Sequence, residues 1–129
     1  MLEKQYYVTG DFAWCVADLI EGTRHCLRTR LPLEALKRSY CRTLSEEKKG
    51  SPDFVKRALS ADLRFPVLVM RGSRGAYHLV DGRHRFWKAR HLGHLTIAAR
   101  VIPWEVFKQL PHRPWKPEEF SEQDLFRWG

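Results

Sequence analysis

Residues 65–103 read FPVLVMRGSRGAYHLVDGRHRFWKARHLGHLTIAARVIP. Val67 to Met70 is an apolar run, Arg71 to Gly75 is a Gly-flanked turn, and Ala76 to Val80 is a second short run. That order predicts a β-hairpin. Asp81-Gly82-Arg83-His84-Arg85 follows as a sharp turn, and the residues after it are strong helix formers, with Phe86, Trp87, Ala89 and Leu92 as the candidate buried positions and Gly93 as the stop. A third strand, Thr96 to Ile102, closes the unit. The turn therefore sets three potentially cationic side chains and a row of backbone N–H groups at a helix start, a position that attracts anions.

Three pieces of this stretch, YHLVDGRHR (77–85), HLG (91–93) and TIAARVI (96–102), resemble the ParB/sulfiredoxin superfamily in residue type, order and spacing. The resemblance implies an α+β fold: a single ParB/sulfiredoxin-like domain with a small mixed sheet and packed helices. The superfamily hosts several chemistries, among them CTP-binding partition proteins, sulfinic-acid reduction by sulfiredoxin, an ADP-dependent kinase of free serine, and proteins described as nucleases. Sulfiredoxin carries a cysteine nucleophile between the Gly and the His-Arg, where this chain has Arg83, so sulfinic-acid reduction is not expected. Gly82 and Arg85 match the Gly-x-x-Arg that partition proteins use on nucleotide phosphates, but those proteins carry a DNA reader and a dimerisation region afterwards, where 26 residues follow Pro103 here, so plasmid partition is not expected. The serine-kinase branch carries DGHHR, close to DGRHR here, which implies that Asp81, His84 and Arg85 sit against a nucleotide or its acceptor.

A chain of 129 residues with 43% hydrophobic positions suits one core. The expected division is a domain over residues 1–110 and a Pro-rich linker with an aromatic C-terminal tail over 111–129. Phe120, Leu125, Phe126 and Trp128 make that tail too apolar to be free, so it should pack on its own domain or on a second copy as a homodimer. No repeat, long apolar run or basic-then-apolar leader is visible, and a cytoplasmic protein with no membrane partner is expected. Cys15, Cys26 and Cys41 form no CxxC pair and cannot all pair within one chain, so they read as buried thiols.

The formal charge is +8 and it is unevenly placed. Arg24, Arg28, Arg30, Lys37, Arg38, Arg42, Lys48 and Lys49 outnumber Glu34, Glu46 and Glu47, and a second basic cluster runs from Asp81 to Arg100. Such clusters favour polyanion partners over a merely solvated surface, and make Arg24, Arg28, Arg30, Lys37, Arg38, Arg42 and Lys88 the nucleic-acid-binding candidates.

Along the rest of the chain, Lys4 to Thr9 reads as a first strand and Asp11 as the cap of a helix burying Phe12, Cys15, Val16, Leu19 and Ile20, stopped by Gly22. Thr23 to Arg30 reads as a loop carrying its basic residues over the phosphate site. A helix restarts at Pro32 with Leu33, Leu36, Tyr40 and Leu44 on one face. Ser51-Pro52-Asp53 is a helix start, and the helix runs to about Leu59. Trp104 to Leu110 gives a final amphipathic turn or two, and Pro117 to Trp128 a short helix.

The candidate site is the turn. Gly82, Arg83 and Arg85 are the phosphate or nucleotide binders, Arg85 as a guanidinium fork. The ordinary alternatives are a plain turn glycine and a structural salt bridge. Asp81 is a candidate metal ligand or catalytic base, with an N-cap role as its alternative. His84, beside two arginines, should resist protonation, which suits general-base work. The implied cofactors are a nucleoside triphosphate or diphosphate and Mg2+. Two functions stand: a nucleotide-dependent phosphotransferase, NTPase or nuclease, and a non-catalytic module binding nucleotide, DNA or a protein partner, of the kind found in phages and mobile elements.

Overall fold

The computed structural model describes residues 5–43, 51–116 and 125–127, the backbone alone at 41–43 and 125–127. β1 (Tyr6–Thr9) and β2 (Phe12–Cys15) lead into α1 (Val16–Gly22), β3 (Arg28–Pro32) and α2 (Leu33–Thr43). Then come α3 (Pro52–Leu59), β4 (Val67–Arg71), β5 (Tyr77–Asp81), α4 (Arg83–His91), β6 (Thr96–Pro103) and α5 (Trp104–Phe107). β7 (Arg113–Pro114) and β8 (Leu125–Arg127) close the order. No helix among the described residues is long and apolar enough to cross a membrane.

The expected α+β unit is present. β4 and β5 pair as an antiparallel hairpin, α4 follows the Gly82 turn, and β6 returns parallel to β4, with β3 antiparallel on its far side. This mixed sheet has the order β3-β6-β4-β5. Because side chains alternate along a strand, Val67, Val69, Ile97 and Ala99 face a core shared with Leu36 and Tyr40 of α2 and Phe86 and Ala89 of α4. Leu68, Met70, Val80 and Ile102 face the other way, onto Tyr7, Trp14, Leu19 and Phe107. Trp14 satisfies its buried indole N–H on the Phe107 carbonyl at 3.2 Å, as a buried polar group requires.

The second core belongs to a further sheet, β7-β2-β1-β8, in which β8 runs parallel to β1. The apolar spacing predicts a helix through Phe12 to Cys15, capped by Asp11. Instead Thr9 pairs with Phe12 across a two-residue Gly10-Asp11 loop, with Gly10 at φ +59°. A Gly-Asp pair between runs of aromatic and β-branched residues is a hairpin signal, and it outweighs the helical spacing of the apolar positions. α1 starts only at Val16, which leaves Phe12 and Ile20 partly exposed rather than in the core. Leu92, expected buried, is likewise exposed at the end of α4.

Arg28 to Arg30 are strand rather than loop, because Arg28 to Pro32 pair residue by residue with Arg100 to Thr96. Residues 125–127 form a strand where the tail was expected to be helical. Leu44, residues 117–124 and Trp128 lie outside the described residues, as do the side chains of Cys41, Arg42, Leu125 and Phe126. Cys15 and Cys26 are free and half-buried rather than buried. The start of α3 is as read: Ser51 Oγ accepts the Phe54 N–H at 3.2 Å, with Pro52 in the first turn.

Gly82 fixes the junction of hairpin and helix. Its φ is +112°, and a Cβ there would lie 2.5 Å from Val67 Cγ1 and 3.2 Å from Val67 Cα. Both the positive φ and the contact exclude a side chain. Gly82→Ala is expected to destabilise the protein by about 3 kcal/mol or more in urea unfolding, from left-handed strain plus overpacking. At Gly10, with nothing within 4 Å of a Cβ, Ala meets the strain alone and should cost less. Equal losses at the two positions would contradict the contact with Val67.

Candidate functional site

Two features aim the turn. Leu68 pairs with Asp81 while Val69 pairs with Leu79, so Val80 is a bulge that sets the end of β5 against the start of β4. Gly82 then serves as the N-cap of α4 with no side-chain cap. The N–H groups at the start of α4, those of His84 and Arg85 among them, consequently have no carbonyl of their own helix to bond.

The turn lines an open cavity of about 550 Å³. Asp81, Gly82, Arg83, His84 and Arg85 all contribute to its wall, so the structure brings the turn candidates together in one place. Residues outside the turn complete it. Arg57 comes from α3 and Arg100 from β6, while Gln5, Thr23 and Asp62 add polar groups. Ile20, Phe65, Pro66, Val67 and Leu68 supply the apolar part. Arg100 carried a readable signal: it interrupts the apolar strand TIAARVI, which lies in the interior of its sheet.

The acids in the wall are already engaged. Asp81 does not cap the helix; its Oδ2 accepts Arg85 Nη2 at 3.0 Å, with both side chains about four-fifths buried (22% and 18% exposed). Arg85 Nη1 also donates to the Pro66 carbonyl, tying α4 to the entry of β4. Arg85 is thus held as a structural clamp facing the cavity. Asp62 accepts both side-chain and backbone N–H groups of Arg64, which hold its carboxyl down at about 2. Among the described residues no group of three His, Cys, Asp or Glu side chains could hold a metal ion, and Asp81 is on Arg85. These donors do not fit a resident metal centre.

The cations are less satisfied. Among the described residues the acid that Arg57 meets is an exposed Asp53 at 3.6 Å, a weak surface pair. Burial lowers Arg83 to about 10, against the pull of Asp81, and it stays charged at neutral pH. Arg100 has no anionic partner among the described residues, and its Nε–H is buried without an acceptor. His84 stacks on Phe54 with ring centroids 4.7 Å apart. Burial lowers its pKa first, and the Arg83 and Arg57 charges lower it further, so the ring is neutral at pH 7. Burial, which the sequence does not display, is thus the larger cause beside the neighbouring charge.

The nucleic-acid candidates do not form one track. Arg28 stands beside Arg100 in register and donates to the Arg64 carbonyl, and Arg30 donates to Thr96. Arg24 pairs with Glu21 at 3.0 Å on the surface. Lys37 and Arg38 are exposed on α2, which packs on the opposite face of the sheet from α1. Lys88 is turned inward onto the Ala61 carbonyl at 2.6 Å. The side chain of Arg42 lies outside the described residues.

No protein-family model matches the chain, and no curated protein matches it. Among solved structures the chain is similar to sulfiredoxin from Arabidopsis thaliana, at 23% identity and a TM-score of 0.40, over 64% of this chain and 93% of that one.

Arg85→Ala strands the Asp81 carboxylate and the Pro66 carbonyl, and is expected to cost about 2 to 3 kcal/mol in urea unfolding. A double-mutant cycle with Asp81→Ala should show clear coupling; additive losses would mean the pair is not formed in solution. His84 gives a second expectation. In the unfolded chain it takes a proton near its ordinary value of about 6.5, whereas the fold lowers that value. The unfolded state therefore binds more protons in the window from about 6.5 down to the folded value, and stability is lost as pH falls through it. The melting temperature should drop over that window, and less steeply for His84→Gln. Parallel curves for the two proteins would contradict this.

Proposed function

We propose that the cavity at the Asp81–Arg85 turn binds the phosphate chain of a nucleotide. The observation that carries this reading is Arg100: a cation on the cavity wall, with a buried N–H lacking an acceptor, in a site whose own carboxylates are taken up by Arg85 and Arg64. Native proteins leave few buried donors unsatisfied, so such a group calls for an acceptor from outside the chain. Arg83 and Arg57 add charge from two other elements, and the N–H groups at the start of α4 point the helix dipole to the same place. A guanidinium also holds phosphate oxygens in a bidentate fork. The Asp81–Arg85 pair holds the turn in shape, and phosphate contact falls to Arg83, Arg100 and Arg57. Should the bound phosphate also be transferred, neutral His84 is the group in the cavity able to take a proton.

The scatter of Arg24, Lys37, Arg38 and Lys88 over separate surfaces favours a compact nucleotide over a nucleic-acid polymer, which needs a continuous basic groove. Calorimetric titration with ATP, CTP, GTP, ADP and a short duplex DNA, each with and without magnesium, tests the reading. At least one nucleotide is expected to bind, with a loss of about tenfold or more in Arg100→Gln and in Arg57→Gln, the scale of a charge-assisted hydrogen bond. Binding of no phosphate compound, or unchanged affinity in Arg100→Gln, would overturn it.

A further inference from the structure

Phe65 is the least expected member of the cavity wall. It is 63% exposed, although a phenylalanine ring has every reason to be buried. Among the described residues it makes no contact with another aromatic ring. Its backbone is nonetheless held firmly. The Phe65 N–H bonds the Asp62 carbonyl at 3.2 Å, Arg28 takes the preceding carbonyl of Arg64, and Arg85 takes the following one of Pro66. The last of these is the same guanidinium that holds Asp81 in the turn, so the position of Phe65 is tied to the position of the turn. Pro66, Val67 and Leu68 continue the apolar wall from Phe65 towards Gly82, and Ile20 adds a half-exposed apolar side chain from α1. The cavity wall therefore combines arginines and helix N–H groups at the turn with an exposed aromatic ring carried on a held backbone.

We infer that Phe65 is the stacking platform for the base of a nucleoside diphosphate or triphosphate whose phosphates lie at the Gly82 turn. This rests on the phosphate reading of the same cavity and adds the recognition of the base. The cavity volume of about 550 Å³ falls in the range of sites that enclose small ligands. A ring on a held backbone has only its two side-chain torsions to order when a base stacks on it, and stacking accepts the π-face of any base. Ranking among bases then falls to hydrogen bonds made around the ring.

The test compares the most tightly bound nucleoside triphosphate with inorganic tripolyphosphate, by calorimetry, in the wild type, Phe65→Ala and Phe65→Trp. Because the ring is exposed, neither substitution should lower the melting temperature appreciably. The wild type should bind the nucleotide about tenfold or more tighter than tripolyphosphate, the scale of one stacked base. Phe65→Ala should remove that advantage while leaving tripolyphosphate binding unchanged, and Phe65→Trp should retain it. Tripolyphosphate binding with the nucleotide advantage intact in Phe65→Ala would overturn the platform and leave the phosphate site standing. Failure of both compounds to bind the wild type would remove the phosphate reading, and the platform with it.

Discussion

The backbone of Gly82 lies directly on Val67, with no space for a Cβ between them, and the rest of the site depends on that contact. It brings the end of β5 against the first residue of β4, so that α4 starts over the sheet instead of beyond its edge. From there the helix buries Phe86 and Ala89 against Tyr40, Leu36 and the apolar face of the sheet. The tertiary amide of Pro66 leads β4 in, and its carbonyl accepts Arg85 from the first turn of the same helix. Strand entry, turn and helix start are thus fastened to each other by one steric contact and one guanidinium.

That fastening also sorts the charges. Arg85 satisfies Asp81, and Arg64 satisfies Asp62, so the carboxylates on the cavity wall are compensated locally. Arg83, partly desolvated, keeps its charge, and Arg100 is left with a buried donor and no acceptor. A cavity whose carboxylates are compensated locally while Arg83 keeps its charge and Arg100 has no anionic partner among the described residues holds a positive potential that a low-dielectric wall strengthens. Neutral His84, stacked on Phe54, adds a polar group without adding to that charge.

Much of the fold was legible because its signals are local. Val67 to Met70, the Gly-flanked turn, the Asp-Gly pair and the stop at Gly93 each dictate a backbone conformation from adjacent residues, and the structure has the hairpin, helix and strand they imply. The Gly10-Asp11 hairpin was legible in principle, but the helical spacing of Phe12, Val16, Leu19 and Ile20 competed with it, and that spacing belongs to α1 only from Val16 onward. The pairing of residues 125–127 with β1 is non-local, and no pattern within the tail specifies a partner at the other end of the chain. That the turn residues stand together was legible from the motif. Arg57, Arg100 and Phe65 were not, since they reach the cavity from a helix, an interior strand and a short connector that only the tertiary structure brings together. That Arg85 ties the turn to the entry of β4 was likewise not legible from spacing, because the Pro66 carbonyl that it bonds lies 19 residues away in sequence.

The central claim, that phosphate binds at the Gly82 turn, is tested most directly by nuclear magnetic resonance. Isotope-labelled protein titrated with tripolyphosphate should show its largest changes at the backbone N–H groups of Gly82, Arg83, His84 and Arg85 and at the side-chain Nε–H of Arg100. Changes centred on Lys37 and Arg38 of α2, or no changes at saturating tripolyphosphate, would contradict the account.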